Sequence, residues 1–391
     1  SGIIIGTIAV ISVVSLGDAV KGYVLGQVDS FGSDTIQIEV KNPSAARNSS
    51  QNATSLASGV QITTLKISDG DAISRLSNIE TFYGGIISQD LASYLNTNKR
   101  VMLFGTSSEA PQVDGNIKLS EGTFYTEGED KGASQVAVLG SGVKKSFFGD
   151  GEAVGKTIKI KSQSYKVIGV LKERGSTGFI SFDDFIYIPI TTLQKKIMGV
   201  DYVSFLTVKA KDEAIIDSTA KEIESLLRDR HDIKRVGEED FSVTTIKEAR
   251  KTIQTVFGAI SILLLVLASV SLVVGGVGIM NVMFVAVAER TGEIGLRKAV
   301  GARSKDILSQ FLVEALIVAL AGGFVGIVLA HLLLWGAFAL AQAAGFALAF
   351  HFSWSTIGLA VGFALAAGLI FGVYPAWRAS QISPIQAIRQ E

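Results

Sequence analysis

The chain contains no cysteine. Disulfides, Cys-ligated metal sites and thiol catalysis are therefore excluded. Histidine is nearly as scarce, and His231, His331 and His351 are too scattered to make a metal-ligand spacing. Net charge is missing too: Lys and Arg total 36, as do Asp and Glu, which argues against a nucleic-acid partner. HExxH and GxSxG signatures are absent, and no paired intramembrane Asp or His marks a proton path or a protease. No catalytic set and no metal site emerge, so the sequence does not read as an enzyme.

Charge is also absent from one region of the chain. Nearly all acidic and basic residues lie between Lys21 and Lys251, and the C-terminal third is almost charge-free outside its loops. That split predicts a soluble domain of roughly 230 residues and a membrane domain of roughly 140. Three long apolar runs, Thr252–Val287, Ile307–Leu340 and Trp354–Trp377, are long enough to cross a bilayer. Gly2–Leu16 is also apolar, but at about 15 residues it falls short of the roughly 20 a span needs. No basic stretch precedes it and no small-residue cleavage site follows, so it reads as the outer part of a transmembrane helix whose start is missing, not as a signal peptide.

Loop charges set the orientation. Arg290, Arg297, Lys298, Arg303 and Lys305 crowd the loop 288–305, and Arg378 and Arg389 lie in the tail. The connection Ala341–Ser353 has no Lys or Arg. By the positive-inside rule the 288–305 loop and the tail are cytoplasmic, and the large domain lies outside. A short helix in the loop would present Ile294, Leu296 and Val300 among Glu289, Arg290, Glu293 and Arg297, a mix that suits either a transient protein interface or a solvated turn. Glu314 is the one acid inside a span, expected to snorkel or to pair with Lys305 or Arg303. Gly275, Gly276 and Gly278 in one span, Gly322, Gly323 and Gly326 in the next, and Gly368 and Gly372 in the last have the small-residue spacing that lets helix backbones approach in lipid.

The region between reads as α+β. Strands are expected over Thr35–Val40, Gln135–Leu139, Thr157–Lys161, Tyr165–Leu171, Phe185–Ile190 and Phe241–Ile246, with helices over Ser68–Leu76, opening on Asp69, and Glu213–Arg230. Asn42–Gly59, rich in Ser and Asn, reads as a loop. Gly149–Thr157, GDGEAVGKT, imitates a phosphate-binding loop. It has three or five residues where that motif needs four, and an alternating strand pattern follows instead of a helix, so it reads as a turn.

Several segments carry a resemblance. ERTGEIGLRKAVGA (Glu289–Ala302), SLVVGGVGIMNVM (Ser271–Met283), FGVYPAWRASQISPIQAIRQE (Phe371–Glu391), SEGTFY (Ser120–Tyr125), VAVLGSGVKKSFFG (Val136–Gly149), AVGKTIKI (Ala153–Ile160), YKVIGVL (Tyr165–Leu171) and GIIIG (Gly2–Gly6) resemble the MacB-type permeases of ABC transporters, within the FtsX-like family. The resemblance covers nearly the whole chain. It implies a membrane protein of four transmembrane α-helices, the first truncated, with a large α+β extracytoplasmic domain over 21–250. That domain would pair a porter-like core (about 21–114 and 210–250) with an inserted β-rich subdomain (about 115–209).

The resemblance further implies a bacterial cytoplasmic-membrane protein that works as a homodimer. An ABC ATPase using ATP and Mg would grip Glu289, Arg290, Glu293, Ile294, Leu296, Arg297 and Lys298. A stalk through Lys247, Arg250, Thr252 and Val256 would relay the motion outward. An extracytoplasmic adaptor is a further expected partner, and peptides, antibiotics or other amphipathic compounds are the expected cargo. Two alternatives remain open from sequence: a non-transporting mechanotransmitter that regulates a cell-wall hydrolase, and a lipoprotein-extracting permease. The fused ATPase domain of the fullest family pattern does not appear here, so the ATPase is either a separate polypeptide or another part of a longer chain.

Overall fold

A computed structural model describes residues 2–41, 62–174, 176–177, 180–235, 237–343 and 354–383. The Ser/Asn-rich segment, most of the connection 341–353 and the end of the tail lie outside the described residues. The chain divides into two compact units, Leu25–Thr252 and the pair Ser1–Val24 with Ile253–Glu391.

The first unit is a mixed α/β domain. Its strands are β1 (Thr35–Val40), β2 (Ile79–Tyr94), β3 (Thr97–Thr106), β4 (Leu119–Gly122), β5 (Val136–Leu139), β6 (Thr157–Ile160), β7 (Gln163–Leu171), β8 (Ser176–Thr177), β9 (Ile180–Ser181), β10 (Phe185–Pro189), β11 (Phe205–Ala210) and β12 (Phe241–Thr245). The main sheet runs β12-β1-β11-β2-β3-β10-β5-β7-β4. Because β6 pairs with both β7 and the far end of β2, the hydrogen-bonded path β2-β3-β10-β5-β7-β6 closes on itself. Alternation dictates the interior of that circuit: Ala92, Leu103, Ile158, Ile160, Tyr165, Leu139 and Ile186 are buried on one face. On the opposite face, aromatic rings of Tyr83, Phe104, Phe185 and Tyr187 make a second cluster.

The β2–β3 hairpin, the longest element of the sheet, is not visible in the sequence pattern. Its turn is Leu95–Asn96, without the Asn-Gly or Gly signal that marks two-residue turns. β11 likewise carries no clear strand signal in the sequence. The expected helix at Ser68 starts one residue earlier, at Ile67; in chain order the helices of seven residues or more are α1 (Gly2–Asp29), α2 (Ile67–Ile73), α3 (Ser141–Phe148), α4 (Ile216–Arg230), α5 (Ile246–Glu289), α6 (Thr291–Ala299), α7 (Ser304–Ala343) and α8 (Trp354–Ser380). Asp69 does not open α2 as its cap. It sits at the third helical position and accepts from the Lys66 N–H at 2.9 Å.

The same carboxylate anchors a polar clasp. His231, at the end of α4, places Nδ1 2.9 Å from Asp240 and Nε2 3.4 Å from Asp69, and Arg230 Nε donates to Asp69 at 2.8 Å. Hydrogen bonds to Asp240 and Asp69 raise the imidazole to about 9, against the opposing effect of burial. Burial pushes both carboxyls upward, but their bonds with His231 and other donors outweigh it and leave both below the usual range.

In the second unit, α1, α5, α7 and α8 are long and apolar enough to cross a membrane. The apolar run Gly2–Leu16 continues as helix to Asp29. α5 begins six residues before the expected span because Thr245 and Glu248 form a reciprocal capping box: the Glu248 N–H donates to Thr245 Oγ1 at 3.2 Å, and the Thr245 N–H to Glu248 Oε2 at 3.3 Å. Its 44 residues give roughly 66 Å of helix, about twice a hydrocarbon core.

Close approach holds these helices together. A Cβ on Gly275 would lie 2.5 Å from the Gly2 carbonyl carbon, and one on Gly276 2.1 Å from the Phe371 ring. Gly326 packs on Thr7, Gly322 on Ile3, Gly323 on Ala364, Gly368 on Ala319 and Gly372 on Ala315. Gly278 departs from the expected packing set: a Cβ there meets nothing within 4 Å among the described residues.

Candidate coupling site

The loop between the second and third long helices folds as α6, one short helix with one buried and one exposed face. Arg290 breaks the chain out of α5, and the Thr291 hydroxyl donates back to the Val287 carbonyl at 3.0 Å. α6 ends on Gly301 at φ +108°, where the Ala302 N–H reaches the Arg297 carbonyl and the Gly301 N–H that of Lys298. This double bond pattern needs a residue free of Cβ at the left-handed position, which is why the loop turns here.

Ile294 is 2% exposed and packs with Met283, Val287, Ile307, Phe311, Ala376 and Ala379. The residue expected at the partner contact is thus a buried anchor of α6 in this structure, and its burial contributes about 1.5–3 kcal/mol. Lys298 is likewise committed internally. Its Nζ donates to the carbonyls of Ser380 and Ile382 at 2.5 and 3.0 Å, placing a cation at the C-terminus of α8, where the helix dipole favours one. Arg290 takes the role that sequence reading gave to Lys305 or Arg303, pairing with Glu314 at 3.2 Å. Glu293 and Arg297 pair one turn apart at 2.6 Å, and Arg297 also donates to Gln310 at 2.6 Å.

What remains presented outward is Glu289, Glu293, Arg297 and two bare apolar side chains, Leu296 at 64% and Val300 at 82% exposure. The surface is a small apolar centre with a charged rim, fixed from beneath by Ile294 and at both ends by Arg290 and Lys298. The charges and Leu296 are readable in the sequence, whereas the inward turn of Ile294 and Lys298 is visible only in their packing partners.

The stalk residues are placed on α5. Lys247 pairs with Asp217 of α4 at 2.6 Å, which raises its amine above the ordinary lysine value. Arg250 pairs with Asp29 at the end of α1 at 3.3 Å. Thr252 and Val256 are exposed. The nucleotide-like stretch 149–157 is a turn: the Gly155 N–H is taken by the Val167 carbonyl at 2.8 Å, and Thr157 begins β6. Among the described residues no group of His, Asp or Glu has the arrangement of a metal site.

Residues 1–226 match the MacB-like periplasmic core domain, and residues 258–384 match the FtsX-like permease C-terminal domain. The chain belongs to the MacB-type, FtsX-like permeases of ABC transporters. A macrolide export ATP-binding/permease protein MacB of Bdellovibrio bacteriovorus is 33% identical over 400 residues, covering 100% of this chain and 58% of that protein. Its counterpart in Wolinella succinogenes is 34% identical over 391 residues, covering 100% and 57%. The chain thus spans under three fifths of the length of these relatives. The crystal structure of the periplasmic region of MacB from Actinobacillus actinomycetemcomitans superposes with a TM-score of 0.50 at 25% identity, covering 59% of this chain and 97% of that one. This MacB-type permease is therefore a membrane protein with an extracytoplasmic α/β domain.

Proposed function

We propose that this chain is the permease part of a bacterial ABC exporter that works by mechanotransmission in the cytoplasmic membrane. ATP and Mg are used by an ABC ATPase, on a separate polypeptide or on another part of a longer chain. That ATPase docks on the outward surface of α6, with Leu296 and Val300 as its apolar centre and Glu289, Glu293 and Arg297 as its orienting rim. The observation that carries the reading is this rigidly mounted apolar pair within a charged rim: an exposed leucine and valine on a helix pinned by three internal contacts suit a partner far better than water.

Two copies acting together relay closure of the ATPase along α5 to the extracytoplasmic domain, through the Lys247–Asp217 and Arg250–Asp29 pairs at its base. Peptides, antibiotics or other amphipathic compounds are expelled from the outer side with an adaptor protein. The relatives named for macrolide export support that cargo class.

The test is the ATPase rate of the reconstituted permease with its ATPase, with and without a panel of peptides and macrolides, in wild type and in Glu293→Arg/Arg297→Glu. The double variant keeps the internal ion pair but reverses the rim. Stimulation by a compound, lost in the variant, is expected. Equal coupling in both proteins would remove α6 from the mechanism, and a rate that answers only to an extracellular hydrolase or lipoprotein would replace the exporter reading.

A further inference from the structure

The closed strand circuit buries one face and leaves part of the other bare. Register fixes which side chains share the bare part. Leu91 of β2 stands opposite Arg100 of β3, Ser93 of β2 opposite Lys159 of β6, and Thr157 of β6 opposite Lys166 of β7. Directly opposed residues point to the same side, and so do residues two apart along a strand. Leu91, Arg100, Lys159 and Lys166 therefore lie on one continuous outer face across four strands, with Ile87 on the same face of β2 and Leu95 at the turn that follows it. The intervening residues Ala92, Ile158 and Tyr165 are buried on the inner side.

Three features of this face call for a partner. The first is apolar exposure: Leu91 on β2 is 53% exposed and Leu95, at the β2–β3 turn, 85%. Single exposed leucines are ordinary, but Ile87, Leu91 and Leu95 together leave the end of this hairpin apolar toward solvent. The second is charge. Arg100, Lys159 and Lys166 are exposed, their charged groups have no ion-pair or hydrogen-bond partner among the described residues, and none of the face positions fixed by this register carries a carboxylate. The third is the turn. Leu95 sits at φ +49°, a left-handed conformation that a residue with a side chain adopts only at an energetic cost. Glycine or asparagine would relax the turn, and the chain carries instead the most exposed leucine of the hairpin.

We infer that this face docks an acidic amphipathic segment of an extracytoplasmic protein, apolar along one stripe and bearing carboxylates on its flanks. The apolar side chains lie along Ile87, Leu91 and Leu95, and the carboxylates reach Arg100, Lys159 and Lys166. From Ile87 to the turn at Leu95 is eight residue steps, at most roughly 26 Å, which a helix of about 18 residues covers at 1.5 Å per residue. The face belongs entirely to the extracytoplasmic unit, so binding there stands or falls independently of ATPase docking at α6.

The test uses the full chain in phosphatidylcholine nanodiscs and a fluorescein-labelled 18-residue helical peptide with leucines on one stripe and glutamates beside it. A lysine-for-glutamate version and a scrambled version are the controls. The glutamate peptide is expected to bind, more weakly as salt rises, and about tenfold more weakly to Arg100→Glu/Lys159→Glu/Lys166→Glu. Leu95→Asn is expected to weaken binding while leaving thermal unfolding unchanged or shifted upward, which separates docking from folding. Equal binding of the three peptides, or undiminished binding by the triple variant, would overturn the proposal. So would a change of oligomeric state in the triple variant, which would assign the face to a second copy, or a preference for phosphatidylglycerol vesicles over the peptide, which would assign it to lipid.

Discussion

The two units of this permease are stabilised by opposite means. The extracytoplasmic domain buries large aliphatic and aromatic side chains, among them Tyr165, Tyr187, Ile36, Ile38, Leu65 and Leu103. The membrane unit buries Ala315, Ala319, Ala330, Ala360, Ala364 and Ala379, and turns Ile262, Leu263, Val266 and Phe324 outward. In water, large apolar area removed from solvent drives packing. In lipid that drive vanishes between helices, and close backbone contact at small residues takes over. The same leucine is thus core in one unit and surface in the other.

That contrast is broken most severely by enlarging a small residue in the membrane unit. Gly275→Leu forces a side chain into the Gly2 backbone, and the expected outcome is loss of the packed bundle, a cost at or above the roughly 1–3 kcal/mol of ordinary overpacking. Size-exclusion profile and thermal unfolding in detergent would show it, with Gly278→Leu, facing open space, as the silent control.

The polar clasp of the outer domain should behave in the opposite way, sensitive to charge and not to size. Asp69→Leu leaves His231 and Arg230 without this carboxylate, and removing one partner of a buried pair costs about 3–5 kcal/mol. pH supplies a finer probe. His231 is raised to about 9, so its contribution is complete below its ordinary value near 6.5 and fades as pH climbs through 9. Asp69 and Asp240 are lowered, so theirs is present above the ordinary carboxylate range and fades only in stronger acid. Urea midpoints across pH 6 to 10 are expected to fall at the alkaline end in wild type and to flatten there in His231→Phe.

The coupling helix combines both modes. Ile294→Ala is expected to destabilise by about 2–4 kcal/mol through its cavity, whereas Leu296→Ala on the exposed face should change stability by under about 0.5 kcal/mol. Equal melting shifts for the two would refute the division of α6 into anchor and docking faces. Gly301→Ala, which puts a Cβ at φ +108°, should cost about 1 kcal/mol or slightly more and loosen the end of α6.

Much of this was legible from residue pattern, for identifiable reasons. The long apolar helices announce themselves by length, β1 and β10 by strict alternation or apolar content, and α4 by its helical spacing. The β2–β3 hairpin was hidden because Leu95–Asn96 lacks turn chemistry and Gly84–Gly85 interrupts the strand pattern. In the coupling loop, charge and exposure of Leu296 could be read, but the inward turn of Ile294 and Lys298 depends on α7 and on the end of α8, elements distant in sequence.

The central claim is that events at α6 move the extracytoplasmic domain. The absence of cysteine from these 391 residues allows a clean spin label at Glu222→Cys, exposed on α4. The most direct measurement is the distance distribution between the two labels of a reconstituted assembly, with and without ATP, by double electron–electron resonance. A shift with ATP in the wild-type background, abolished by Glu293→Arg/Arg297→Glu, is the predicted result. An unchanged distribution while ATP is being hydrolysed would contradict the account.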